Sequence, residues 1–428
     1  MKKIKLSPLQ TLLKNTVEIP GSKSYTNRSL LLATFVTNPV KILNPLMSDD
    51  TRAMISCLRE LGIEIREENN SIIVVGDFTK IKKQKYSLNA SLSGTTIRFI
   101  TALATLIPGE KIIFGEEGLN KRPIKDLVDV LRQLGAEITY MEKEGFAPLR
   151  ITSKKLKAGA VKMNGSVSSQ FLSSVLMIAP LVGKVTIEII GELISKPYVV
   201  MTIDTLSKFG VAVENNNYER FTLLSGQKYH REEYVVEGDV SSASYFFAIA
   251  ALTKSKLTLI NMNPNSVQAD MNFLRILEQM GNAVVYGKNE ITFTGKGIKA
   301  KVIDMESCPD QAQTMAVLAA FANGVTTISG VQSLRVKETE RVVAVQNELK
   351  KMGIKTEATH DTLTIYGGNP KAAAIDTYGD HRMAMAFAVA GVKLSGIVIN
   401  NPEVVTKTFP TFWQKLKEIG MTFKEYEA

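Results

Sequence analysis

Cationic and amide side chains stand beside serines and glycines at the starts of otherwise apolar, helix-like runs. Lys23 and Arg28 lie in Ser22-Lys23-Ser24-Tyr25-Thr26-Asn27-Arg28, Arg98 follows Gly94-Thr95-Thr96, Gln170 follows Ser168-Ser169, and His381-Arg382 follow Gly379-Asp380. A buried helix does not need such groups, because a buried charge is costly without a partner. Each alone fits a snorkelling side chain or an internal salt bridge; recurrence at equivalent places points to a shared site. Helix N-termini backed by ammonium and guanidinium groups suit phosphate and carboxylate, so the implied chemistry is the handling of a small anion. Three further segments carry charge. Arg335-Val336-Lys337-Glu338-Thr339-Glu340-Arg341 alternates signs at a helix start, as an ordinary solvated helix also does. Arg122-Pro123 precedes a helix, and Lys407 precedes Phe409-Pro410 in a loop.

The elements that position these groups recur about every seventy residues, six times in all. Each copy opens on a small-residue start and an apolar, alanine-rich helix: from Ser22, Gly94, Ser168, Ser241, Asp310 and Gly379. Being apolar on most faces, these helices are expected to be buried. A β-branched strand follows, such as 111–114, 185–189 or 325–328. A second, amphipathic helix then stops at a glycine, at Gly62, Gly135, Gly210, Gly281, Gly353 and Gly420. Alternating stretches such as 63–75 and 283–294 predict hairpins. The unit is thus βαβαββ, and six units divide into two groups of three. The last unit stops short of its final strands, and the N-terminal segment up to Pro20, with strand-like Thr16-Val17-Glu18-Ile19, is expected to supply a missing one. This predicts one domain at 21–235 and a discontinuous one at 1–20 plus 236–428, with the anion site in the cleft where the buried helices point their N-termini.

Composition agrees with this layout. A chain of 428 residues is long enough for two domains of roughly 200 residues each. Its charges are spread rather than blocked, so it is expected to fold nearly end to end. Cys57 and Cys308 are far apart and lack CxxC or CxxH partners, which argues against a disulfide framework or a structural zinc site and fits a reducing compartment. Met1-Lys2-Lys3-Ile4-Lys5 runs into polar sequence, unlike a signal peptide, and no apolar stretch has membrane-spanning length. The net charge of +10 is compatible with nucleic acid, acidic membrane or small anions. Placement decides among them: the lysines at 80–85 and 154–157 read as solvated surface charge, whereas the strongest cationic motifs sit at helix starts, away from any basic face with stacking aromatics.

Taken in order, seven motifs closely resemble the EPSP synthase family: Pro20-Gly21-Ser22-Lys23-Ser24 with Asn27-Arg28, Ser93-Gly94-Thr95-Thr96-Ile97-Arg98, Arg122-Pro123-Ile124, Ser168-Ser169-Gln170, Arg335 to Thr339 with Arg341, Gly379-Asp380-His381-Arg382, and Lys407-Thr408-Phe409-Pro410. The resemblance spans 20–410. It implies an α/β fold, a two-domain inside-out α/β barrel with three βαβαββ repeats and buried parallel helices in each domain. It also implies transfer of the enolpyruvyl group of phosphoenolpyruvate to the 5-hydroxyl of shikimate 3-phosphate, through a tetrahedral intermediate and without metal or organic cofactor, by a cytoplasmic monomer. Carried over residue by residue, Lys23, Gly94, Arg122, Gln170, Arg341, Arg382 and Lys407 line the phosphoenolpyruvate site. Each charge-assisted contact there is worth roughly 1.5–3 kcal/mol.

By the same resemblance Lys23, Ser24, Arg28, Ser168, Ser169, Gln170, Ser195, Tyr198, Asp310 and Lys337 bind shikimate 3-phosphate. Asp310 accepts the proton of the 5-hydroxyl, Glu338 or Lys23 protonates the enol methylene, and His381 takes part through its imidazole or as a hydrogen-bond donor in the cleft wall. Gly94 leaves room beside phosphoenolpyruvate, so the inhibitor glyphosate is expected to fit. Two positions depart from the family pattern: Leu92 stands where asparagine is usual, and Ser333 where asparagine or an acid is common. The sister family that uses UDP-N-acetylglucosamine carries a cysteine before its Arg-Pro element. Gly115-Glu116-Glu117-Gly118-Leu119-Asn120-Lys121 has none.

Overall fold

A computed structural model of the chain describes residues 2–11, 15–76, 78, 81, 84–152 and 155–427. Lys80, Lys82, Lys83 and Lys154 of the lysine-rich stretches lie outside them; Lys85, Lys155 and Lys157 are exposed. The chain divides into a central unit, Gly21–Val236, and a split unit, Met1–Pro20 with Glu237–Ala428. The change-over falls one residue beyond 235. Val236 donates its N–H to Leu43 O at 3.0 Å and accepts from Asn44 Nδ2 at 2.9 Å, which ties it to the central unit. At Gly21 only a glycine fits, since a Cβ would lie 2.0 Å from Asn44 O.

Among the described residues each unit holds three four-stranded sheets of one pattern. In one of them Lys85–Asn89 runs parallel to Glu110–Phe114, which pairs antiparallel with Leu149–Thr152, itself paired with Glu137–Tyr140. Parallel neighbours need a crossover, and the helix Gly94–Ala104 provides it. A second helix, Lys125–Gln133, then leads into the hairpin. The six second helices stop as expected, with φ at the six stop glycines between +78° and +107°, a region where a side chain would be strained.

The helices lie inside and the sheets outside. In Val240–Thr253 every residue but Ser241 and Thr253 is buried, whereas a strand such as Lys85–Asn89 alternates exposed and buried side chains. In the split unit Val240–Thr253, Ala312–Ala320 and His381–Ala390 pack on one another. In the central unit Gly94–Ala104 packs on both Lys23–Ala33 and Ser169–Val182. Apolar side chains such as Phe246, Phe247 and Phe387 fill this interior, each stabilising by about 1.5–3 kcal/mol relative to exposure.

The N-terminal segment supplies two strands rather than the one expected. The last repeat does form a final strand, Thr422–Glu427, and its missing neighbour is Lys2–Ser7, inserted antiparallel between Val398–Asn400 and Thr422–Glu427. Thr16–Glu18 instead runs parallel to Lys256–Ile260 and opens the fourth sheet. In the central unit Glu233–Val235 plays the same part beside Val40–Leu43. Sequence periodicity missed Lys2–Ser7 because a short segment with lysine at positions 2, 3 and 5 carries little apolar signal. Among the described residues no helix is long and apolar enough to cross a membrane.

Candidate active site

In the central unit the helix starts gather cations around neutral donors. Lys23, at the first turn of Lys23–Ala33, donates to Asp50 Oδ2 at 2.9 Å. Asp50 is buried in the first turn of Asp49–Glu60, whose start is closed by a reciprocal Ser48–Thr51 capping box. The Ser93 side chain caps Gly94–Ala104 by accepting from Thr96 N. A Cβ on Gly94 would stand 3.2 Å from Arg122 Nη1 and 3.5 Å from Arg98 Nη1. Two guanidinium groups therefore close on this helix N-terminus because the residue is glycine. Arg98 also donates to Gln170 Oε1 at 2.6 Å, and Gln170 N is capped by Ser168 Oγ. Ser169 is buried and Ser24 half-buried.

Arg28 is turned into the unit. It donates through Nε to Thr202 Oγ1 (2.8 Å), through Nη1 to Ser24 O (3.1 Å) and through Nη2 to Tyr198 O (3.2 Å), with its guanidinium 5.4 Å from the Phe99 ring centre. These acceptors are neutral, and burial pulls its pKa down to about 10. Ser195, in left-handed conformation, precedes the helix carrying Tyr198. Leu92 is exposed and Ser333 half-buried.

Substituting Gly94 by alanine crowds Arg122 and Arg98 by a few tenths of an ångström, at their flexible ends. The fold is expected to survive. If Gly94 borders the phosphoenolpyruvate site, as the resemblance implies, crowding of about 1–2 kcal/mol is expected to raise KM for phosphoenolpyruvate about tenfold with little change in kcat, and to weaken glyphosate inhibition. Steady-state kinetics of both proteins check this; an unchanged KM would remove Gly94 from the donor site.

The split unit concentrates carboxylates on a buried arginine. Arg341 donates through Nε to Asp380 Oδ2 (2.7 Å), through Nη1 to Asp310 Oδ1 (2.9 Å) and through Nη2 to Glu338 Oε2 (2.8 Å). Despite burial, these three anions raise its pKa above the ordinary value. Asp380 also caps the helix His381–Ala390 by accepting from Arg382 N. Arg382 donates to Asp310 Oδ2 at 3.0 Å and Asp310 O at 3.2 Å. Lys337 Nζ lies 3.7 Å from Asp310 Oδ1, and Lys407 Nζ donates to Glu338 Oε1 at 2.9 Å. His381 is buried with Nδ1 3.6 Å from Asp380 Oδ1.

Burial opposes ionisation of Asp310, but Arg382, Lys337 and Arg341 outweigh it and hold the carboxyl well below its usual range. Lys337 is drawn up by Asp310, yet burial and the adjacent arginines leave it below an ordinary lysine. The structure thus brings Asp310, Lys337, Glu338, Arg341, His381, Arg382 and Lys407 into one charged cluster. It also places Asp50, Arg98 and Asp380 in contact with the expected groups. The sequence did carry a signal for Asp50 and Asp380, since each lies at the start of a helix in the repeat.

Helix starts in both units gather lysine, arginine and serine, an arrangement suited to small, multiply charged anions. The family described as EPSP synthase (3-phosphoshikimate 1-carboxyvinyltransferase) matches residues 9–416. Relatives named 3-phosphoshikimate 1-carboxyvinyltransferase include those of Sulfurovum sp. (strain NBC37-1), 43% identical with 98% of this chain and 100% of the relative covered, and Shewanella halifaxensis (strain HAW-EB4), 41% identical with the same coverage. A solved EPSP synthase of Acinetobacter baumannii superposes with a TM-score of 0.84 at 25% identity, covering 100% of both chains. The chain belongs to the EPSP synthase family.

Proposed function

We propose that this chain transfers the enolpyruvyl group of phosphoenolpyruvate to the 5-hydroxyl of shikimate 3-phosphate, a step of the shikimate pathway to aromatic amino acids. In a chain of this family, the observation that carries the reading is the Asp310 carboxylate, held ionised by Arg341, Arg382 and Lys337. An ionised carboxylate takes the proton of the 5-hydroxyl as the oxygen attacks C2 of phosphoenolpyruvate. A proton goes to the methylene carbon, giving a tetrahedral ketal phosphate. Loss of a proton from the new methyl and of phosphate from C2 then restores the double bond as an enol ether.

Of the two groups expected to protonate the methylene, Glu338 already accepts from Arg341 and Lys407. Lys23 donates to Asp50 as an ammonium, and we favour it as the acid. Arg122, Gln170, Arg341, Arg382 and Lys407, with space at Gly94, hold phosphoenolpyruvate. Ser24, Arg28, Ser168, Ser169, Gln170, Ser195, Tyr198 and Lys337 hold the acceptor. Arg28 uses one N–H of each nitrogen on neutral acceptors, so two N–H groups remain for an anion. We read the protein as a cytoplasmic monomer without nucleic-acid partners.

Phosphate release from phosphoenolpyruvate tests the reading, measured with shikimate 3-phosphate, with UDP-N-acetylglucosamine and with neither. Release only with shikimate 3-phosphate is expected. Release only with the nucleotide sugar would move the chain to the sister activity, and no release would leave an anion-binding scaffold.

A further inference from the structure

In the first repeat of each unit an aspartate at the start of the second helix reaches back to the start of the buried helix, but the two are compensated differently. Asp50 meets the ammonium of Lys23. Asp270, at the N-cap of Met271–Gln279, receives the hydroxyl of Ser241 on Oδ2. Its Oδ1 is buried with no hydrogen-bond partner among the described residues, and the residue is 4% exposed. The preceding segment is pinned: Gln268 Oε1 accepts from Val240 N (3.1 Å), and its Nε2 donates to Glu237 Oε1 (2.8 Å) and Gly238 O (2.7 Å). A buried carboxylate with one bare oxygen is costly, and it either draws on a nearby cation or takes up a proton.

The groups around it identify that cation. Asn272 Nδ2, two residues past Asp270, donates to Ser307 Oγ at 2.7 Å, and Ser244, one turn past Ser241, donates to Gln311 Oε1, so Asp270 stands beside the turn whose Asp310 holds Arg382 of His381–Ala390; Asp239 at the cap of Val240–Thr253 adds its charge. Tyr245 and Cys308 lie within its field. Arg382 is the one cation in this group, and it also holds Asp310.

We propose that Asp270 is a positioning residue that shares the Arg382 charge with Asp310, so that its ionisation sets how strongly the cations of the split unit hold an incoming phosphate or carboxylate. Burial pushes its carboxyl up to about 6, with Asp310 and Asp239 adding to the rise and Arg382 and the Ser241 hydroxyl opposing it. Asp310 stays ionised throughout the same range. Above the titration point Asp270 competes with the ligand for Arg382. Below it the neutral acid releases that field, and anion affinity rises.

The inference rests on the transferase reading only in taking Arg382 as a ligand-facing group. Sulfate keeps its charge between about pH 5 and about pH 8, unlike phosphate monoesters, and its binding needs no turnover; a wrong substrate assignment would leave the result standing. Calorimetric titration of the full chain with sulfate is expected to show affinity rising about five- to tenfold as pH falls through the Asp270 titration, the effect of one nearby charge in a medium of intermediate dielectric. Asp270→Asn should bind tightly at both ends with no step. Ser241→Ala, which removes the hydroxyl that favours the ionised form, should move the step to higher pH. A step that persists unchanged in Asp270→Asn assigns it to another group, His381 first, and overturns the proposal. If that variant does not fold, an unmoved step in Ser241→Ala does the same.

Discussion

Asparagine in place of Asp310 is expected to lower kcat by about a thousandfold, at the upper part of the range for loss of a positioned base. The amide keeps the shape, but its single oxygen accepts from only one of Arg341 and Arg382, which donate to different carboxylate oxygens at 2.9 and 3.0 Å. It cannot take the hydroxyl proton. The variant also removes one negative charge from a ring of Arg341, Arg382 and Lys337, so KM for phosphoenolpyruvate should fall or hold while kcat collapses. Phosphate-release kinetics separate the two constants. A variant keeping more than roughly a tenth of kcat would assign the base elsewhere, Lys337 first. Since Asp310 ionises more readily in the folded than in the unfolded chain, its pairing contributes stability that is fully present above about pH 4. That contribution is lost as pH falls through the lower folded value, and the asparagine variant lacks it.

Methionine in place of Arg341 is expected to produce the largest loss of stability, about 3–5 kcal/mol at neutral pH. One buried guanidinium serves Asp310, Glu338 and Asp380. Without it three carboxylates face one another with fewer cations, and their mutual repulsion opposes the folded state. Stability of the variant is then regained as pH falls and they protonate, so the gap to wild type should narrow toward about pH 5. Lysine would restore the charge but not the fork that reaches three partners. Urea unfolding at two pH values checks both statements. A gap below about 1 kcal/mol at neutral pH would mean that Lys337, Arg382 and Lys407 suffice.

Much of the fold was legible because its signals are local. A glycine after an amphipathic helix marks a left-handed stop, as at Gly62 and Gly353, and an apolar, alanine-rich run marks a buried helix, as at Val240–Thr253. What was not legible depends on partners distant in sequence. The short segment Lys2–Ser7 becomes a strand because Val398–Asn400 and Thr422–Glu427 leave a place for it. Arg341 sits in a run of alternating charge that resembles a solvated helix start, yet Asp310 and Asp380 turn it into a buried hub. Arg98 was visible as a charge without a job until Gly94 and Gln170 gave it neighbours. The bare oxygen of Asp270 has no signature at all in one dimension.

The strand Lys2–Ser7 ties the two ends of the chain together, and that imposes an order on synthesis at the ribosome. The central unit, Gly21–Val236, has every strand of its three sheets once residue 236 has emerged. Residues 2–7 emerge long before their partners Thr422–Glu427 and must wait for them. Contacts of such sequence separation form slowly. The opening segment therefore leaves the ribosome early as an unpaired, lysine-bearing edge, whose charge discourages association with neighbouring chains until the closing strand arrives.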